Sequence, residues 1–282
     1  MTNLQQRLAT AGIVIPVLLF FFWLGGLWFF GLLELVILIG MIEFFNMMEA
    51  KEIVSQEIIG TVGALCLGVF AYLNRQDLIL LTLALFSLGI LTAELFTNDL
   101  KRAIASTSAA MLGIIYVGFF LSHIALLRNW EGSRGRTDLG LFFIVLVIAV
   151  TFLNDAGAFF IGRKWGRHKM TPVISPKKSW EGVLGALLFG IAGAAASKAV
   201  FDRWILQTHL AWHHCLILGA LLVGAAILGD LVESLFKRDA GVKDSGKIVP
   251  GHGGILDRLD SIVFTVPVCY YYLKLAAYSG GW

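Results

Sequence analysis

Charge is scarce in this chain. Only 15% of its 282 residues are Asp, Glu, Lys or Arg, whereas 58% are hydrophobic, and the mean hydropathy is +0.81. Soluble domains carry roughly 25% charged residues, so a soluble globular domain is excluded. The alternation of apolar and polar residues that a membrane β-barrel needs is also missing. Cysteine is rare. Cys66, Cys215 and Cys269 lie far apart inside apolar segments, which gives neither metal-ligand spacing nor a disulfide framework and fits small buried hydrophobes. The net charge of +3 comes without a basic tail, so nothing points to nucleic acid. No internal repeat supports an inverted-repeat transporter, and no linker is long enough to separate soluble domains. The first apolar segment runs on without a small-residue cleavage site and reads as a membrane helix rather than a cleaved signal.

What is present are long apolar runs, such as 139–153 and 211–229. They predict an all-α, polytopic transmembrane protein. Apolar windows place about nine helices near 11–24, 27–47, 58–73, 78–96, 107–127, 139–161, 181–200, 212–232 and 261–278. Gly25-Gly26 could be a turn between the first two, or residues 11–33 could form one longer span. The first segment and 58–73 are short for a full crossing. Residues 1–138 form a mostly apolar N-terminal half with thin loops. Residues 139–282 form a C-terminal half carrying nearly all candidate chemistry, chiefly in polar connections 162–180 and 233–260. On this reading one side of the membrane receives fifteen Lys and Arg residues and the other seven. The positive-inside bias makes the richer side cytosolic, with the N-terminus inside. Both long polar loops then face the compartment that holds nucleotides and magnesium.

The densest polar block is residues 234–261, SLFKRDAGVKDSGKIVPGHGGILDRLDS. Asp230 and Glu233 end one helix, and Asp257 and Asp260 begin the next. Three-residue spacing puts each pair on one helix face. Carboxylates gathered near lipid repel and are costly to desolvate unless a cation joins them. Magnesium takes oxygen ligands of this kind, commonly one or two carboxylates plus substrate phosphates. The same acids could instead pair with Arg258, Lys237 and Arg238. Lys237, Arg238, Lys243, Lys247 and Arg258 are suited to phosphate oxygens, although juxtamembrane cations also serve as anchors. Pro250-Gly251-His252-Gly253-Gly254 precedes the helix of Asp257. Glycines there let backbone N–H groups approach an anion at a helix N-terminus, and His252 could contact phosphate or play a structural part.

The second polar region, 154–182, begins with Asn154 and Asp155 inside a predicted span, where polar side chains are costly. Its loop ends in Lys177-Lys178-Ser179-Trp180-Glu181. Ser179 fits a helix N-cap, and the two lysines could bind nucleotide or lipid phosphate. Glu34, Glu43 and Glu94 lie in or near spans and could pair internally. His209, His213 and His214 lack the carboxylate that would complete a zinc site.

The 234–261 block resembles the signature of the phosphatidate cytidylyltransferases, also called CDP-diacylglycerol synthases. It is carried by Ser234, Lys237-Arg238, Lys243-Asp244, His252-Gly253-Gly254 and Asp257-Arg258-Leu259-Asp260, with Gly229-Asp230-Leu231 and Ser175–Gly182 matching the bacterial members. The resemblance covers 154–261 well; the N-terminal third agrees only in hydropathy and helix count. It implies transfer of the cytidylyl group of CTP to phosphatidate with release of pyrophosphate, a requirement for Mg2+, a homodimer and a place in the bacterial cytoplasmic membrane. On that basis Lys237, Arg238, Lys243, Asp244 and Arg258 are expected to be catalytic. Lys177, Lys178, Ser179, His252, Gly253 and Gly254 are expected to bind substrate, and Asp230, Asp257 and Asp260 the metal. A lipid-alcohol kinase that moves the γ-phosphoryl group of CTP is the nearest alternative, and a transporter the second. The motif of CDP-alcohol phosphotransferases is not found.

Overall fold

A computed structural model describes residues 16–97, 100–130, 138–248 and 253–278. Helix dominates. Residues 16–24 are helical, and the helix breaks at Gly25, where Gly25 and Gly26 take positive φ of 62° and 55°. The turn favours glycine because side chains strain that region. Buried Arg128 stabilises it by donating from Nε to the Phe22 carbonyl at 2.8 Å. Among the described residues, the glycine pair is therefore a break between helices.

The helices that follow are α1 (Gly26–Glu49), α2 (Glu57–Tyr72), α3 (Gln76–Glu94) and α4 (Ala103–Arg128). Next come α5 (Leu139–Trp165), α6 (Trp180–Trp204), α7 (Trp212–Asp239) and α8 (Leu256–Tyr278). Six of them, α1 and α3 to α7, are long and apolar enough to cross a membrane. The α2 helix is apolar but only 16 residues long, matching the short span expected there. Two small strands, β1 (Lys169–Thr171) and β2 (Ser175–Ser179), pair antiparallel within the 162–180 connection. This hairpin qualifies the all-α expectation: Pro172, Pro176 and four basic residues in 167–178 hid it.

The chain divides into two compact units. The first comprises residues up to Asn129 together with Phe236–Leu259. Its helices α1, α2 and α4 meet through small residues. Gly118, in the π-helical turn Ile114–Phe119 of α4, sits where a Cβ would come within 2.7 Å of the Ala64 Cα. Phe44, Met41 and Ile37 of α1 are fully buried, while α3 leaves Leu80, Leu81, Leu85 and Leu88 exposed. An apolar outer face of that kind suits lipid as its solvent.

The second unit comprises Trp130–Leu235 and the chain from Asp260 onward. Its helices α5 and α6 pack closely. A Cβ on Gly157 would lie 2.4 Å from the Gly185 carbonyl, and one on Gly185 would lie 2.5 Å from the Gly157 carbonyl. Glycine at both positions lets the backbones touch, the usual means of helix association in lipid. Helices α7 and α8 meet in the same way, with the Asp260 carbonyl 2.3 Å from where a Gly229 Cβ would stand. The α7 helix runs two turns beyond the apolar window that predicted its end at 232, and α8 begins five residues before 261. Hydropathy marks where lipid could end, whereas Lys237 and Arg238 extend the helix readily.

Candidate active site

In the first unit the carboxylate of Asp257 is the centre of a buried network. It lies in the first turn of α8, ahead of the apolar stretch. Its Oδ1 accepts from Lys237 Nζ at 2.5 Å. Its Oδ2 accepts from the backbone N–H groups of Ser245 and Gly254, each at 2.8 Å. Burial alone would raise this carboxyl; hydrogen bonds from Lys237, Gly254 and Ser245 outweigh it and hold the group below its ordinary range. The Lys237–Asp257 pair is almost fully enclosed, with side chains 13% and 6% exposed.

The expected glycine turn belongs to this network. Gly253 has φ of +86°, and a Cβ there would come 2.5 Å from Asp257 Oδ2. Gly254 is buried and donates to Asp257. Both glycines thus shape the surroundings of the aspartate. His252 lies outside the described residues. The cations Arg238, Lys243, Lys247 and Arg258, and the acid Asp244 among them, are exposed. Asp239, beside Arg238, forms an ion pair with Lys51.

The sequence reading missed how Glu43 would be used. This acid, near the C-terminal end of α1, accepts from the backbone N–H groups of Ile255 at 2.9 Å and Leu256 at 3.0 Å. It also faces the Ser245 hydroxyl at 3.0 Å. The available signal was a carboxylate inside an apolar run, which must find donors somewhere. Glu94, by contrast, pairs locally with Gln56 and Ser106.

In the second unit, Lys178 Nζ lies 2.7 Å from Asp230 Oδ2, and Ser234 donates to Asp230 Oδ1 at 3.3 Å. Asp260 Oδ1 accepts from the Ser261 N–H at 2.6 Å. Ser179 is buried and accepts from the Gly182 N–H at 3.2 Å, capping α6. This is the N-cap role its position suggested. Lys177 is exposed beside it. Glu181 secures the hairpin by accepting from the N–H groups of Arg167 and His168. Asn154 donates to Asp155 at 2.9 Å, and His214 meets the Tyr272 hydroxyl at 2.8 Å.

The donor set can be tested against magnesium. Among the described residues no group of three or more His, Cys, Asp or Glu side chains is arranged to hold a metal. A cage built wholly of protein ligands therefore does not fit. A magnesium ion carried by nucleotide phosphates would ask only one or two carboxylates of the protein, a demand that a single hard oxygen donor such as Asp257, which already holds a cationic side chain, can meet.

Six helices long and apolar enough to cross a bilayer define a polytopic membrane protein. The chain belongs to the cytidylyltransferase family, whose model matches residues 5–276, and it is by that membership a nucleotidyltransferase. It is similar to the phosphatidate cytidylyltransferase of Synechocystis sp., at 36% identity over 96% of each chain. The phosphatidate cytidylyltransferase of Bacillus subtilis is 30% identical over 98% of this chain and 99% of its own. That of Brucella suis is 30% identical over 96% and 93%.

Proposed function

We propose that this protein is a phosphatidate cytidylyltransferase that converts CTP and phosphatidate to CDP-diacylglycerol and pyrophosphate. The observation that carries the reading is end-to-end similarity to bacterial enzymes of that name, at 36% identity over 96% of the chain in the first case. The chemistry of the side chains supports it.

In the proposed reaction a phosphate oxygen of phosphatidate attacks the α-phosphorus of CTP in line. The bond from the α-phosphorus to the bridging oxygen breaks, and pyrophosphate leaves with that oxygen. Phosphatidate is already an anion, so no strong general base is needed. The barrier is lowered mainly by positioning and charge stabilisation. Arg238, Lys243 and Arg258 are exposed cations that we assign to the triphosphate and lipid phosphate. Lys237 and Lys178, now on Asp257 and Asp230, can be released to phosphate oxygens when substrate arrives. Lys177 supplies further positive charge, and Asp244 orders the cationic loop.

The acids we assign to magnesium are Asp230, Asp257 and Asp260, of which one or two would ligate an ion carried by the nucleotide; the assignment rests on the sequence pattern and on their donor chemistry. When bound, the ion neutralises phosphate charge and makes the α-phosphorus more electrophilic. The site is proposed to face the cytosol of a bacterial inner membrane, following the lysine and arginine bias. A homodimer is proposed from the family resemblance alone.

The test is direct. Purified protein with CTP, phosphatidate and Mg2+ should yield CDP-lipid and pyrophosphate in equal amounts by mass spectrometry and phosphate release. Absence of CDP-lipid from well-folded protein would refute the reading.

A further inference from the structure

We infer that Glu43 is a positioning residue for the transfer, acting through Ser245 on Asp257; the inference rests on the proposed cytidylyltransferase reading. Glu43 comes from α1, some two hundred residues earlier in the chain, yet it holds the loop that presents Asp257. The three side chains form a buried series, with Glu43 2%, Ser245 6% and Asp257 8% exposed. The Ser245 hydroxyl lies 3.0 Å from Glu43 Oε2 and 3.0 Å from Asp257 Oδ2, so its single proton serves one carboxylate at a time. The N–H groups of Ile255 and Leu256, at the start of α8, point at Glu43. An anion at a helix N-terminus is favoured there.

The loop is shaped to fit this acid. A Cβ on Gly246 would come within 2.4 Å of the Glu43 carboxylate, and one on Gly254 within 2.3 Å. Glycine at both positions lets the backbone close around Glu43. The two N–H groups that orient Asp257 belong to Ser245 and Gly254. Both lie in the segment that Glu43 holds. Loss of Glu43 therefore frees the two donors that aim Asp257, while Asp257, Lys237 and every exposed cation remain. A displacement of about 1 Å at such a group lowers turnover about 100-fold.

The experiment uses the full-length protein in detergent with CTP, phosphatidate and Mg2+. Glu43→Gln, which removes one acceptor oxygen, is expected to lower kcat about 10- to 100-fold and leave KM for CTP within about 3-fold. Ser245→Ala is expected to lower kcat about 10-fold, and the double variant to stay within about 3-fold of the worse single, because both act along one path. Hydrogen exchange gives a readout independent of turnover. In Glu43→Gln, peptides covering Ser245 and Gly254–Leu256 should exchange about 10-fold faster, with α5 and α6 unchanged. Near-wild-type kcat in Glu43→Gln, multiplicative losses in the double variant, or unchanged exchange in those peptides would each overturn the inference. If the wild-type protein makes no CDP-lipid, the proposed function fails, and the exchange arm still decides whether Glu43 holds the loop.

Discussion

Lys237 Nζ and Asp257 Oδ1 lie 2.5 Å apart with both side chains enclosed. Neither charge is well hydrated, so each is tolerable only because of the other and because Asp257 also accepts two backbone hydrogen bonds. Removing one partner of such a pair leaves an uncompensated buried charge and commonly costs about 3–5 kcal/mol. Lys237→Met is therefore expected to destabilise the protein by about 3 kcal/mol or more and to abolish turnover, as measured by chemical unfolding in mixed micelles and by CDP-lipid formation. Retention of both would show that the pair matters little.

Asp257→Asn should still insert, lose stability much as Lys237→Met does because Lys237 is left without its partner charge, and lose nearly all activity. The amide keeps the shape of the carboxylate but carries no charge, so it holds a divalent cation far more weakly. Normal turnover by this variant would remove Asp257 from the proposed metal site.

The pH dependence follows from the same carboxyl. Its folded pKa lies below the ordinary value of 3.8. The stability it contributes is thus fully present above about pH 4 and is lost as pH falls through the folded value. Between pH 5 and 8 Asp257 adds no slope. Thermal scans from pH 7 to pH 3 should show acid destabilisation of the wild type that is shallower in Asp257→Asn.

Lys178 and Asp230 are bonded more openly, with side chains 24% and 32% exposed. A partly exposed ion pair of this kind contributes less than the enclosed Lys237–Asp257 pair. Lys178→Met should leave the melting temperature nearly unchanged yet cut turnover about 10-fold or more if the lysine receives phosphate. A large loss of stability with normal turnover would make it a structural anchor instead. Ser179→Ala is the control beside it. Loss of the α6 cap should cost about 1 kcal/mol, with only modest loss of activity.

Much of the fold was legible because apolar length is a strong signal. The run 139–153 became α5, 211–229 became α7, and the short run near 58–73 became the short helix α2. Helix ends were less legible: Asp230 lies well inside α7 rather than at its end, although Asp257 does sit at the start of α8, because hydropathy reports lipid and not hydrogen bonding. The Ser179 cap was readable from residue type and position. The hairpin was not, since Pro172, Pro176 and the lysines argue against strands and only pairing with β1 and the bonds to Glu181 hold it. Glu43 was visible as an acid in an apolar run, but its donors at Ser245, Ile255 and Leu256 are distant in sequence, and spacing alone does not connect them.

The most direct test of the central claim is to follow the two ends of CTP separately. With CTP labelled at the α-phosphate, label should enter the lipid product; with label at the γ-phosphate, it should leave in pyrophosphate. Transfer of the γ-label to lipid, or no lipid labelling from either position by folded protein supplied with phosphatidate and Mg2+, would contradict the account.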